Sequence, residues 1–576
     1  MPKTTKQSRP AAKLVLAAFL AVIAFTATAS AIQTALPDNQ LSIGAWANNV
    51  TVKTRYGLVK GFADKGSTWC WKGIPYAAPP AGPLRWKAPV DLSPWTGIRN
   101  AKKFGSSAAQ ILPVLGPKGS EDCLYLNIWR PKGDETGLPV YLFIHGGGNS
   151  IGTGSFRDYY GNAVAGKSHM VYISVNFRLG VLGWFRHPAV TGSGSPEDQS
   201  GNFGTLDLIK ALEWVHENIA AFGGDPGNVT ISGESGGAMN VLSLLTSPLA
   251  KGLFHRAVVE SGLTMIRSKA EAEGHTAKLV VNLLIADGKA ANNGEAERIA
   301  AKMTAPEIDA YLRSKSPAEL MKRIPTIVGG MANWAAVYTD GTVLPEEGYG
   351  VFASGTWANK VPLLIGVNKD EMKLFRFLLK DPSPGTRNYE LLSRYQSLLW
   401  RASGLDNVAK PMTSNPDMPP VYAYRFDWGS PDDSGVSVLP RNMGSVMGAN
   451  HYAEIPFFLG GGGNQLSFIT GNTYTRANRP GREKLTGLCM LYLANFARTG
   501  NPNSEALPRW EPWNQAEGAD KYIILDADNN DLRISRASDI ISVNTVIDLI
   551  KAELKEPEQG EILKMLKEHP PFGLNL

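Results

Sequence analysis

Cysteine is scarce in this chain. Only Cys70, Cys123 and Cys489 occur in 576 residues, with no C-x-x-C and no Cys/His cluster. No H-E-x-x-H is present either, so nothing in the sequence asks for a metal. At most one disulfide can form, leaving one thiol over. Excess charge is nearly absent too. The formal net charge is +6, and Lys3, Lys6, Arg9 and Lys13 carry four of those charges, leaving +2 on residues 32–576. So even a balance gives no footing for nucleic acid or an anionic membrane as partner. After the first 31 residues no stretch is long and apolar enough for a bilayer span of about 20 residues. Internal repeats and low-complexity tracts are likewise missing. The composition is that of an ordinary soluble globular protein.

Residues 1–31 read as a cleaved signal peptide. A basic start is followed by the apolar run Leu14 to Phe25, and then by Ala29-Ser30-Ala31, a small-residue cleavage pattern. The expectation is export to a periplasmic or extracellular location, with residues 32–576 as one domain.

In that domain short β-branched and aromatic runs alternate with longer helical patterns, which predicts an α/β fold around a mostly parallel sheet. Val140–Ile144 and Val171–Val175 read as buried strands, Leu206 to Ala221 as a helix and Val229–Ser232 as a strand. Residues 262–330 are richer in Ala, Lys and Glu. They contain two capping boxes, Thr304-x-x-Glu307 and Ser316-x-x-Glu319, and read as a helical insertion walling the active site.

Gly233-Glu234-Ser235-Gly236-Gly237 lies between the strand ending at Ser232 and the helix-compatible run Ala238–Leu245. A sharp strand-to-helix turn lifts a serine clear of the sheet and aims the N–H groups of the next helix at it. His145-Gly146-Gly147-Gly148 directly follows a buried strand, about 90 residues earlier. Consecutive glycines there let backbone N–H groups approach a developing oxyanion. Gly460–Gly463, by contrast, reads as a plain turn.

The run from Phe222 to Gly237 is similar to the nucleophile signature of type-B carboxylesterases, the α/β-hydrolase family that includes the cholinesterases. Glu121-Asp-Cys-Leu-Tyr-Leu-Asn-Ile-Trp129 resembles the family's second signature. Similar blocks continue at Gly73–Ala77, Asn176–Gly180, Ser247–Phe254 and Asn495–Pro502, over nearly all of residues 32–576.

In α/β-hydrolases the triad runs Ser, then acid, then His. Two of the eight histidines, His451 and His569, lie far enough downstream. His569 sits in a charged tail and reads as solvated, while His451 lies in Gly448–Pro456, which resembles the family's histidine block. Order alone leaves Asp370 and Glu371 both open as the acid; the resemblance favours Glu371. Asp340 reads as a turn residue.

The resemblance implies a two-step acyl transfer with Ser235 as nucleophile, His451 as base and then acid, and Glu371 orienting it. The oxyanion would be held by Gly147, Gly148 and Gly236, on a small-molecule ester, without a cofactor. The same machinery would serve amides, carbamates, thioesters or lactones. The family also has non-catalytic adhesion members, which typically lose a triad residue.

Gly161–Ser168 matches the P-loop pattern by letter, but the strand comes after it rather than before. By resemblance, Arg85 with Glu121 and Arg178 with Asp207 are structural ion pairs, and Glu234 is left to tune the histidine or order water. Cys123 lacks its usual partner, since Ala108-Ala109-Gln110 stands where the family has a cysteine; it is either free or paired instead with Cys70, and the sequence leaves both open. The aromatic-rich, disulfide-closed loop of cholinesterases is missing from residues 90–120, which argues against choline esters. Asn149 after the triple glycine suggests a more polar acyl pocket.

Overall fold

The structure is a computed structural model and describes residues 50–334, 336–461, 471–568 and 572. Residues 1–31, expected to be a signal peptide, and His569 lie outside the described residues. An eleven-stranded sheet forms the centre, its strands here numbered along the chain: β1 Phe62–Asp64, β2 Thr68–Pro75, β3 Tyr125–Pro131, β4 Leu138–Ile144, β5 Val171–Val175, β6 Gly224–Glu234, β7 Arg256–Glu260, β8 Leu363–Asn368, β9 Val421–Phe426, β10 Tyr522–Leu525 and β11 Ser535–Ala537. Their spatial order is β1-β2-β3-β5-β4-β6-β7-β8-β9-β10-β11. From β5 to β10 every pairing is parallel, and the strands beyond at both edges pair antiparallel.

Parallel strands carry helices on both faces, so both faces of each strand must be apolar. β4 shows this residue by residue: Val140, Leu142 and Ile144 enter one core, and Tyr141 and Phe143 the other. The first core packs against helices α1 (Phe203–Asn218) and α2 (Gly236–Thr246), the second against α6 (Arg479–Thr499). Burying one such side chain stabilises the fold by about 1.5–3 kcal/mol. Truncating Leu142 to Ala would cost roughly 2–5 kcal/mol, because a void remains.

The Ala/Lys/Glu-rich stretch is helical: α3 (Lys269–Ala286), then Asn293–Ala300, Ala305–Arg313 and Pro317–Met321. Both expected capping boxes form, and a third, Ser268 with Glu271, starts α3. After β8 come α4 (Glu371–Leu379) and α5 (Arg387–Arg401), and near the C-terminus α7 (Glu558–Glu568). Asn162–Ser168 is itself a helix, entered from a single 3-10 turn at Arg157–Tyr159 and not from a strand, so the P-loop match has no P-loop context.

Candidate active site

β6 ends at Glu234 and α2 starts at Gly236, so Ser235 alone makes the turn, at φ +57° and ψ −121°. That backbone is strained for a residue with a side chain, at a cost of about 1–3 kcal/mol. The chain on either side holds it there. The Ser235 N–H donates to the Glu260 carbonyl on β7 at 2.9 Å. A Cβ on Gly237 would stand 2.0 Å from the Ile144 carbonyl oxygen, so only glycine lets α2 start this close to β4.

The glycine loop leaves the C-terminal end of β4. Gly147 and Gly148 adopt φ +104° and +59°, in the region that favours glycine. A Cβ on Gly236 would lie 2.9 Å from the N atoms of both Gly148 and Asn149, so the loop's N–H groups and the head of α2 converge. Helix first turns have no internal acceptor for their N–H groups, which leaves Gly236 free to donate outward. Met331, just past the helical stretch, covers the loop: its Sδ would be 2.6 Å from a Cβ on Gly148.

Asn149, from which the sequence suggested a more polar acyl pocket, is held against α2. It is buried, and its Oδ1 accepts from Asn240 Nδ2 on α2 at 2.8 Å. Its polarity serves to pin the loop to the helix. His145 is buried and stacked on Phe177; burial lowers its pKa to about 4, so it stays neutral.

Glu371 opens α4 just beyond β8 and is fully buried. Its Oε1 accepts from the Asn368 N–H at 2.8 Å, and its Oε2 lies 2.5 Å from Nδ1 of His451. Asp370, the neighbour that chain order left open, points elsewhere. It accepts from the Ala449 N–H at 3.1 Å and pairs with Lys373, bracing the loop that carries His451. Asp340 accepts from the N–H groups of Thr342 and Val343 at 2.7 Å, the turn role read from the sequence.

On its other side, His451 Nε2 lies 3.0 Å from Glu234 Oε1, an ion-pair contact without hydrogen-bond angles. No hydrogen bond joins Nε2 to Ser235 or to any other described residue. The imidazole is therefore held by Glu371, with Nε2 left beside the residue that precedes the serine. Burial pushes the His451 pKa down, but Glu234 and Glu371 outweigh it and hold it well above the ordinary value. Burial pushes Glu234 up. A third carboxyl, Glu454, accepts from Ser261 Oγ at 2.7 Å and is raised to about 8 by burial and by Glu371 and Glu234.

Sequence reasoning gave Glu234 a part in tuning the histidine, but it missed Glu454 and the aromatic surround of the imidazole. Phe375 of α4 and Trp400 of α5 lie 4.9 and 4.8 Å from the His451 ring. A Phe four residues after Glu371 on one helix was a signal for the first; nothing local signalled the second.

Both expected ion pairs form. Arg85 meets Glu121 through two bonds of 2.6 Å, and Arg178 meets Asp207 at 2.8 and 2.6 Å. All three cysteines are buried and free. Of the two options left open for Cys123, the free thiol is the one found, because Cys70 packs in one core and Cys123 in the other. Among the described residues no helix is long and apolar enough to cross a membrane.

The Carboxylesterase family model matches residues 48–403 and 382–539. The chain is 32% identical to the para-nitrobenzyl esterase of Bacillus subtilis, over 83% of this chain and 95% of that one. It is 30% identical to carboxylesterase 1D of Rattus norvegicus, over 81% and 86%. Among solved structures, a PNB esterase superposes with a TM-score of 0.64 at 30% identity, covering 84% of this chain and 97% of its own. A carboxylesterase from Geobacillus stearothermophilus gives 0.63 at 32%, covering 84% and 97%. With the serine turn, the glycine loop and the parallel sheet in place, the chain belongs to the carboxylesterase family of serine hydrolases and has the α/β-hydrolase fold.

Proposed function

We propose that this protein hydrolyses small-molecule carboxylic esters through an acyl-enzyme on Ser235. The observation that carries the reading is the buried Glu371–His451 hydrogen bond at the same C-terminal end of the parallel strands as the strained Ser235 turn. His451 takes the serine proton as Oγ attacks the ester carbonyl, and Glu371 fixes the ring and offsets its positive charge. The N–H groups of Gly147, Gly148 and Gly236 receive the oxyanion. His451 returns the proton to the leaving alcohol, and water then repeats the sequence on the acyl-enzyme. Nε2, which lies 3.0 Å from Glu234, reaches the serine once the imidazole turns toward it.

Residues 1–31 are proposed to direct export and to be removed, leaving residues 32–576 as a single catalytic domain. A p-nitrophenyl ester series from acetate to longer acyl chains, with Ser235→Ala as control, tests the activity. Hydrolysis that vanishes in the variant supports it; equal rates in both proteins overturn it.

A further inference from the structure

Helix α7 is fastened along α5 by the Arg387–Glu558 ion pair at 3.1 Å and by Asn388 Nδ2 donating to Glu561 at 2.9 Å. Beyond α7, half-buried Phe572 sets its ring edgewise on Phe375 and Trp400, with centroids 4.7 and 5.6 Å away and planes at 67° and 78°. Phe375 and Trp400 are stacked on each other at 5.6 Å and 13°, and both rings also face His451. Phe572 itself makes no ring contact with the imidazole, so the stacked pair is the layer between them.

Both intermediate rings are buried in the main core, and neither has a hydrogen bond to orient it. Phe375 has no polar atom, and Trp400 Nε1 is buried without a hydrogen-bond partner. Their positions rest on packing, and Phe572 supplies an edge-to-face contact to each, an arrangement aromatic rings favour. One face of the imidazole surround is thus completed by a residue near the end of the chain, remote in sequence from every residue of the proposed triad.

We propose that Phe572 is a positioning residue for His451, acting through Phe375 and Trp400. This rests on the reading of His451 as the general base. Reaction geometry is steep: a misplacement of about 1 Å can cost roughly 100-fold in rate. Losing one supporting ring should cost less.

The test uses full-length Phe572→Ala, Phe572→Tyr and Ser235→Ala, with kcat and KM on p-nitrophenyl acetate and the thermal midpoint of each. Phe572→Ala is expected to lower kcat by about 5- to 30-fold with KM changed less than about twofold. Phe572→Tyr, which keeps the ring, is expected to recover most of the loss. A kcat within twofold of wild type overturns the inference, and so does a loss confined to KM. A loss that Phe572→Tyr fails to recover also overturns it, as does one that tracks the fall in thermal midpoint in both Phe572 variants. If Ser235→Ala is inactive while Phe572→Ala is normal, only this inference falls. Full activity in Ser235→Ala removes the underlying assignment and this inference with it.

Discussion

Glu371 Oε2 and His451 Nδ1 lie 2.5 Å apart across 80 residues of sequence, and both residues are buried. The separation is spanned by α4, α5 and β9, and Asp370 ties the two loops together by accepting from the Ala449 N–H. Glu371→Gln replaces a charged acceptor with a neutral amide and removes the preference for one ring tautomer. The expected result is a fall in kcat of about 10³–10⁴-fold with KM little changed, read from steady-state ester hydrolysis. A loss of tenfold or less would argue against Glu371 as the orienting acid.

The pH profile follows from the charges around the imidazole. Burial alone would lower the His451 pKa, yet Glu234 and Glu371 hold it well above 6.5. A general base works only when neutral, so the acid limb of kcat/KM should lie above that value. Glu234→Gln removes one of the two charges that raise it, and the limb should move to lower pH. A limb that stays in place or moves upward contradicts this.

Gly148→Ala tests the glycine loop. The added Cβ meets Met331 Sδ and forces an alanine to φ +59°, so the loop must shift. Losing one oxyanion donor typically costs about 2.7–4 kcal/mol, or roughly 100- to 1000-fold in kcat. Hydrolysis within a few-fold of wild type would place the oxyanion elsewhere.

Much of this was legible locally. The elbow, the glycine loop and strands β4 to β6 are continuous in sequence, and their apolar runs and glycines carry the fold's constraints within a few residues. β5 falls on Val171–Val175 as expected, while the expected helix from Leu206 to Ala221 begins earlier and ends in a 3-10 turn. What could not be read depends on distant chain segments. The bond that pins Asn149 to α2 was not legible, because its partner Asn240 is 91 residues away. Glu454 beside the triad carboxyl and Trp400 beside the imidazole arise only when distant segments meet. Asp370 and Glu371 are adjacent in sequence, and only the turn into α4 aims one at the imidazole and the other at the Ala449 N–H.

The missing cysteine offers a check on that packing. Ala109 and Cys123 line one small cavity, where the sequence suggested a lost partner. Ala109→Cys should bond to Cys123 under oxidising conditions and stabilise the fold by about 3 kcal/mol, the value for a loop near 15 residues. Thiol titration and thermal melts with and without reductant would show it. Two free thiols at these positions after oxidation would mean their geometry does not fit a bridge.

The identity of the nucleophile can be read most directly by treating the folded protein with a fluorophosphonate and mapping the adduct by peptide mass spectrometry. One adduct is expected, on the peptide holding Ser235, with hydrolysis lost in step with labelling and no label in Ser235→Ala. An adduct on another residue, or hydrolysis that continues after Ser235 is fully labelled, would contradict the assignment.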